Sequence, residues 1–448
     1  MEPNGIDGDT AAAMEVCVSP GCQFRHRRTA KKITRAKKDH RTDIAPAEWG
    51  RYNYAALLNP TARAGGAEAL LSCPESVPRV DAKTTSPAEF IASYEMRSRP
   101  CIIANAINEW PAMRRWTFDY LEEKWRNGHF KIGEDDRGHR IRVKLKYFVD
   151  YMRHQTDDSP LYLFEASAED SPATMDLIDD WWAPAHFPED LHNILGDDRR
   201  PPWRWFMIGP IRSGTTVHRD PLGTAAWNAV IQGEKRWALL PPELSKRLVK
   251  AKMLLRDGED DEAIDWFHNL LPRLKAFHRA ETGQELPIYE GITRRGDVIF
   301  VPPRWWHAVL NLSDTISVTQ NFVSPANFAL AWESMRRSRR LLSCRWLRRL
   351  QRFHPDLYSL ACRYDREMAM ARQVPGSCSS SSSSSSSDSS SDEDEDSTIR
   401  EQMRRSEARY SAAETEAIRA AYAPARRGSG RVGGTDDGGD SGGVCAGV

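Results

Sequence analysis

The chain has 448 residues, of which 40% are hydrophobic and 28% charged, enough to bury one large core or two smaller ones. Its 63 basic and 63 acidic residues cancel, but bases crowd residues 25–38 and 336–352 and acids crowd 392–396, so overall charge says nothing about partners. Eight scattered cysteines with no CxxC pair exclude a zinc-finger spacing and a disulfide framework, and the absence of an apolar leader or a bilayer-length apolar run points to a soluble protein of a reducing compartment.

Residues 1–45 are polar, without sustained apolar periodicity, and are read as a disordered basic tail. Within them RHRRTAKKITRAKKDHR (25–41) has the composition of a solvated tail, or of a nuclear-import or nucleic-acid segment. From about Trp49 the texture changes, and residues 46–170 are expected to form a mixed α/β region packed on the core. SPAEFIASYEMRSRP opens with Ser86 as N-cap, Pro87 at the first helical position and Glu89 at the capping-box position. CIIANAI is a short buried strand, and TFDYLEEKWR begins a helix capped by Thr117. HFKIGEDDRGHRIRVKLKYFVDYM is two strands around an Asp-Arg-Gly turn leading into a helix, and SPLYLFEA is strand-like.

Residues 171–338 differ again. WRWFMIG, TTVHRD, AAWNAVIQG, KRWALLP, GDVIFVP, HAVLNL and ISVTQNFV are short β-rich runs punctuated by Gly and Pro, the pattern of an all-β sandwich or barrel. A helical, charged insert, residues 242–290, interrupts them. Residues 339–373 form an Arg-rich helical extension in which Leu341, Leu342, Trp346, Leu350 and Phe353 align on one side. Such a helix docks or dimerises, with RNA contact as the sharper alternative. Residues 374–448 hold a serine tract, the acidic run SSSDEDEDS and a Gly-rich end, a composition that cannot bury enough apolar surface to order itself.

His218-Arg219-Asp220 puts two potential ligands at i and i+2, which on a strand face the same side while Arg219 points away. A third ligand from a distant strand completes a 2-His-1-carboxylate triad with open coordination positions, and His307, after GDVIFVPPRWW, is the candidate. The HxD pattern alone is weak, and a core or turn histidine is the plainer reading of His218 taken singly. The chain even carries a second HxD, His354-Pro355-Asp356, but no histidine follows it to supply the distal ligand. Lys235 begins an apolar strand after Gly233, and an inward lysine needs a carboxylate. Thr319 is suited to hydrogen-bond the same carboxylate. The alternatives are a surface cation at Lys235 and an ordinary strand residue at Thr319; for Trp305 and Trp306, packing at a barrel rim is the better reading.

RWFMIGPIRSGTTVHRDPLGTAAWNAVIQGEKRWALLPP and GDVIFVPPRWWHAVLNLSDTISVTQNF resemble the JmjC oxygenases, a likeness that runs from about residue 49 to 355. The resemblance implies a mainly β fold with flanking helices: a double-stranded β-helix (cupin-like jelly roll) core, a helical C-terminal extension used in dimerisation, and disordered tails. It implies Fe(II) at His218, Asp220 and His307, with O2 and 2-oxoglutarate as co-substrates. For 2-oxoglutarate it implies Lys235 and Thr319 at the distal carboxylate, with Tyr162, Thr215 and Asn228 lining the pocket and Trp205 and Asn321 near the substrate opening. Lysyl hydroxylation of Lys/Arg-rich nuclear proteins (splicing factors, histones) is the first expectation and arginine demethylation the second, in a nuclear protein with no membrane partner. A non-catalytic RNA- or chromatin-binding scaffold, marked by loss of a site residue, and a zinc or manganese cupin are the rivals. The insert, the N-terminal extension and the Gly-rich end depart from the family pattern and bear on partners more than on chemistry.

Overall fold

In a computed structural model, residues 24–57, 73–166, 174–196 and 200–371 are described. The first element is helix α1, Thr29–His40, inside the segment read as a disordered tail. It was hidden because two of its four buried positions, Thr29 and Lys37, are polar. Their partners lie more than a hundred residues away: Thr29 donates to Asp150 (2.5 Å), and Lys37 pairs with Asp157 at 2.6 Å with neither side chain exposed.

The strands then follow as β1 (Arg79–Asp81), β2 (Cys101–Ala104), β3 (His129–Glu134), β4 (Arg140–Lys144), β5 (Leu163–Glu165), β6 (Arg204–Gly209), β7 (Gly214–His218), β8 (Ala225–Gln232) and β9 (Lys235–Leu240). After the insert come β10 (Tyr289–Thr293), β11 (Val298–Val301), β12 (Trp306–Asn311) and β13 (Thr315–Phe322). Ser86 caps its helical turn through the expected capping box with Glu89, and Thr117 caps the helix Phe118–Trp125 (α2). The hairpin β3–β4 runs into α3, Leu145–His154.

Seven strands form one sheet in the order β1-β2-β11-β8-β13-β6-β5, and four form a second, β10-β9-β12-β7. All pairings are antiparallel except β1 with β2. The two sheets meet face to face: Ile102, Ala226, Ile299 and Val301 of the larger pack in one cluster with Trp237, Leu239 and Val309 of the smaller. The strand pattern implied a sandwich or barrel, and the resemblance implied this cupin-like core. The region 46–170 does more than pack on it, because β1 and β2 close one edge of the larger sheet and β5 the other.

Most core strands are covered on both sides, which is why they read as continuous apolar runs rather than alternating ones. On β8, Trp227, Ala229 and Ile231 face the N-terminal helices, while Ala226 faces the second sheet. On β9 and β12, Ala238, Leu240, Ala308 and Leu310 face the insert, whose Trp266, Phe267, Leu270 and Leu274 cover them. The insert is helical up to Thr282, the end of α4 (Leu271–Thr282), but its last two residues already belong to β10. Glu290 sits there buried, held by Arg236 at 2.8 Å and by Lys275; a strand containing Gly and Glu gives little sequence signal.

The C-terminal helices α5 (Phe328–Ser338), α6 (Arg340–Phe353) and α7 (Pro355–Ala371) form their own apolar cluster with Leu191, Leu195 and Val323. Leu342, Trp346 and Leu350 are buried as the helical stripe requires, whereas Phe353 at the end of α6 is 48% exposed. The serine tract and the acidic and Gly-rich segments lie outside the described residues. Cys73, Cys101 and Cys362 are free thiols.

Candidate metal and co-substrate site

His218 ends β7, and Asp220 stays extended (φ −66°, ψ 144°), so residues i and i+2 do share a side. Arg219 goes the other way: its guanidinium lies 3.8 Å over the Trp306 ring and donates to the Pro242 carbonyl. That clamp holds the tripeptide against the smaller sheet, and it gives Trp306 the packing role read from sequence. His307 faces His218 directly across the β7–β12 ladder.

The three side chains converge. Their ligand atoms all lie within 4.8 Å of one another, the single such group among the described residues. The Asp220 carboxylate is 3.9 Å from Nε2 of each histidine, and the two imidazole centroids are 4.1 Å apart. His218 Nδ1 hydrogen-bonds the Thr216 carbonyl at 2.9 Å and His307 Nδ1 that of Trp305 at 3.2 Å. With Nδ1–H committed to carbonyls, each Nε2 keeps its lone pair for the common point. Burial, reinforced by the adjacent His218, holds the His307 imidazole well below its ordinary pKa, so it stays neutral, the form a metal needs. Two imidazoles and one carboxylate on one side of a point suit Fe(II) with open positions.

Thr215 and His218 both line the same cavity although they are three residues apart, which a regular strand forbids. The β7–β12 register slips between His307 and Val309, so β7 spends one more residue than β12. This bulge turns both side chains inward.

The cavity, about 360 Å³, is lined by Tyr162, Trp205, Thr215, Asn228, Lys235, Thr319 and Asn321 as well as the three candidate ligands. Lys235 is 1% exposed, and its ammonium donates to the Tyr162 hydroxyl at 2.9 Å. No carboxylate pairs with it among the described residues. An ammonium buried beside an open cavity with a phenol for its partner is a seat for an anionic group. The buried Asn228 leaves its side-chain oxygen without a partner. The ammonium fits one end of a small dicarboxylate such as 2-oxoglutarate, whereas the Asn228 oxygen is an acceptor and calls for a donor, so only the amide Nδ2 of Asn228 can serve a carboxylate. The Thr319 hydroxyl reaches the cavity but donates to the Trp227 carbonyl at 2.7 Å, so it must rotate to donate to an incoming carboxylate. Asn321 is held by a hydrogen bond to Thr224 Oγ1 at 3.0 Å, and Trp205 lies 5.8 Å from Phe164 at the wall.

Two cavity features escaped the sequence reading. Trp237 stacks on His307, 6.3 Å between centroids at 30°; its place two residues after Lys235 on one strand was the available signal. Lys131, Glu134 and Arg140 of the β3–β4 hairpin and Phe164 of β5 also reach the cavity, and nothing local announces that.

A second groove, about 670 Å³, shares Lys131, Glu134, Tyr162, Phe164 and Thr215 with the first cavity. Ten carboxylates line it, Asp43, Asp135, Asp260 and Asp261 among them, against only Arg41, Arg51 and Lys131 as permanent cations. Burial, opposed by its hydrogen bond from Tyr54, raises the Asp265 pKa to about 8.

Residues 87–328 match the model of the cupin-like domain family, a span that contains every candidate site residue. The bifunctional arginine demethylase and lysyl-hydroxylase psr-1 of Caenorhabditis elegans is 38% identical over 334 residues, covering 74% of this chain and 80% of its own. The arginine-specific demethylase JMJ22 of Arabidopsis thaliana is 34% identical over 56% of this chain and 47% of its own length. The 2-oxoglutarate and iron-dependent oxygenase JMJD4 of Mus musculus is 28% identical over 55% and 60%.

Proposed function

The chain belongs to the cupin-like JmjC family of iron- and 2-oxoglutarate-dependent oxygenases, and on that premise we propose that it hydroxylates lysine side chains of basic proteins, using His218, Asp220 and His307 as metal ligands. The observation that carries this reading is the buried Lys235 ammonium, unpaired with any carboxylate among the described residues and lining the same cavity as the three convergent ligand atoms.

Iron and 2-oxoglutarate bound there supply the activation of dioxygen, with succinate and carbon dioxide as co-products and one oxygen atom passed to a substrate C–H bond. The chain's own residues do the positioning. Lys235 neutralises the far carboxylate of the co-substrate, steadied by the Tyr162 hydroxyl, and Thr319 and Asn228 complete its hydrogen bonds. Trp237 and Val309 form an apolar wall beside His307 that keeps water from the reacting end. Asn321 and Trp205 border the substrate opening.

A protein substrate rich in Lys and Arg is supported by the acidic groove that shares its wall with the cavity, since a groove of one sign concentrates the opposite charge. Methyl-arginine demethylation is the second reading; the aromatic faces of Phe164 and Trp205 favour it, because aromatic rings attract methylated cations. The scaffold alternative loses its premise, as no candidate ligand is missing. A zinc or manganese cupin would have no dicarboxylate for Lys235 to hold. Nuclear residence, contact with RNA through the basic segments and dimerisation through α5–α7 belong to the same proposal, supported respectively by the basic run at 25–41, the arginines of α6 and the exposed Phe353.

The test is incubation of the purified protein with Fe(II), 2-oxoglutarate and Lys/Arg-rich peptides, followed by mass spectrometry. One added oxygen on lysine with stoichiometric succinate is expected, and it should disappear in Asp220→Ala. Loss of methyl groups without lysine oxidation would put the second reading first; no product from peptides that bind would reject both.

A further inference from the structure

Helix α1 presents two unlike faces. Thr29, Ile33, Ala36 and Lys37 are buried, fixed by Asp150 and Asp157. On the opposite side Arg28, Lys31, Lys32, Arg35 and Lys38 are all exposed, within an arc of roughly 120° at about 100° per residue. Only Arg35 has a carboxylate neighbour among the described residues, Asp39 at 3.5 Å. The positive field continues onto β4: beyond its burial, His129 is held below its ordinary pKa by Lys144, Arg142 and Lys32. The anchored helix is therefore a rigid row of cations with nothing covering it among the described residues.

We propose that the occupant of this face is the chain's own acidic segment, residues 392–396, with the sequence DEDED. Charge complementarity is direct, five carboxylates against five cations. Lengths agree as well: the ten helical steps from Arg28 to Lys38 extend about 15 Å, and five extended residues about 17 Å. The last described helix ends at Ala371, 21 residues before Asp392, a chain length that stretches to about 70 Å at full extension. A fold of this size has a radius of gyration on the order of 20 Å, so the segment reaches most of its surface. Tethering supplies an effective concentration in about the millimolar range, which compensates for weak, solvent-screened pairs. The contact is autoinhibitory: it shields the basic face from other polyanions, nucleic acids included, until one of them displaces it. Phosphate on Ser389, Ser390 or Ser391, next to the acids, adds charge of the same sign and tightens the seat.

The full-length protein serves for the test. In an equal mixture of ordinary and 15N-labelled protein, carbodiimide coupling followed by peptide mass spectrometry is expected to join Lys31, Lys32 or Lys38 to residues 392–396 of the same isotopic chain. Replacing the five acids (Asp392→Asn, Glu393→Gln, Asp394→Asn, Glu395→Gln, Asp396→Asn) is expected to tighten binding of a fluorescent oligouridylate about tenfold at roughly 0.1 M salt. That gain should vanish when Arg28, Lys31, Lys32, Arg35 and Lys38 are also changed to Gln, exposed substitutions that leave the melting temperature in place. Absence of these links, links only between light and heavy chains, or an oligouridylate affinity unchanged by neutralising the acids would each overturn the proposal.

Discussion

Lys235 shows how a residue that weakens the resting fold prepares a site. Its ammonium is buried with a phenol as partner, so burial is incompletely compensated until an anion arrives. Lys235→Met is therefore expected to raise the KM for 2-oxoglutarate roughly 30–150-fold, the loss of about 2–3 kcal/mol for a charge-assisted contact, without lowering the melting temperature; steady-state kinetics and calorimetry on one preparation check both. Gly209 supports the same spot from behind. A Cβ there would fall 2.0 Å from Asn311 Nδ2 and 2.9 Å from the Tyr162 ring. Gly209→Ala should thus displace Tyr162, raising the co-substrate KM and lowering the melting temperature together. Asp265 carries a pH signature. Its folded pKa, about 8, lies above the ordinary aspartate value of 3.8, so its protonated form is favoured by folding. Its contribution is fully present below about pH 4 and is lost as pH rises through about 8. Urea unfolding across that window should show a steeper fall with pH for the native chain than for Asp265→Asn. At this scale the sequence was informative where chemistry is dense: His218, Asp220 and His307 converge as their spacing suggested. It was silent on which partner Lys235 would find, because Tyr162 lies 73 residues away.

Among the elements, α1 tests how a polar helix is held. The Lys37–Asp157 pair is buried at both ends, with Tyr151 also donating to Asp157 at 2.5 Å. Lys37→Ala leaves that carboxylate buried and unpaired, an expected cost of about 3–5 kcal/mol. Replacing both partners, as Lys37→Met with Asp157→Leu, should restore a large part of the loss in a denaturation double-mutant cycle. The same chemistry explains why α1 was illegible: a helix whose inner face includes Thr and Lys looks like solvated chain until its distant acids are known. The core strands were legible because covered faces and intervening Gly and Pro mark them. The β7 bulge was not, since a one-residue slip leaves no mark in composition, yet it is what brings Thr215 and His218 to one side.

For the whole molecule, the sequence reading separated an N-terminal region from the jelly roll, and the strand order unites them. Chain position suggested the division because connections between neighbouring strands are usually short, whereas β2 reaches β11 across almost two hundred residues and β5 reaches β6 across almost forty. The cupin-like match spans 87–328, yet β1 at residues 79–81, α1 and the α6–α7 helices lie outside it. Anyone trimming the protein for expression would be tempted to cut at those limits. Such a fragment would bare the outer edge of β2, a ready template for strand addition between molecules, and would strip Trp332, Trp346 and Leu350 from the cluster around Leu191, Val323 and Phe328. Inclusion bodies are the expected yield from that cut, and soluble monodisperse protein from one beginning before Arg25 and ending after Ala371. Size-exclusion profiles of the two would tell them apart. The unit that can be made and handled is thus larger than the unit that sequence similarity outlines.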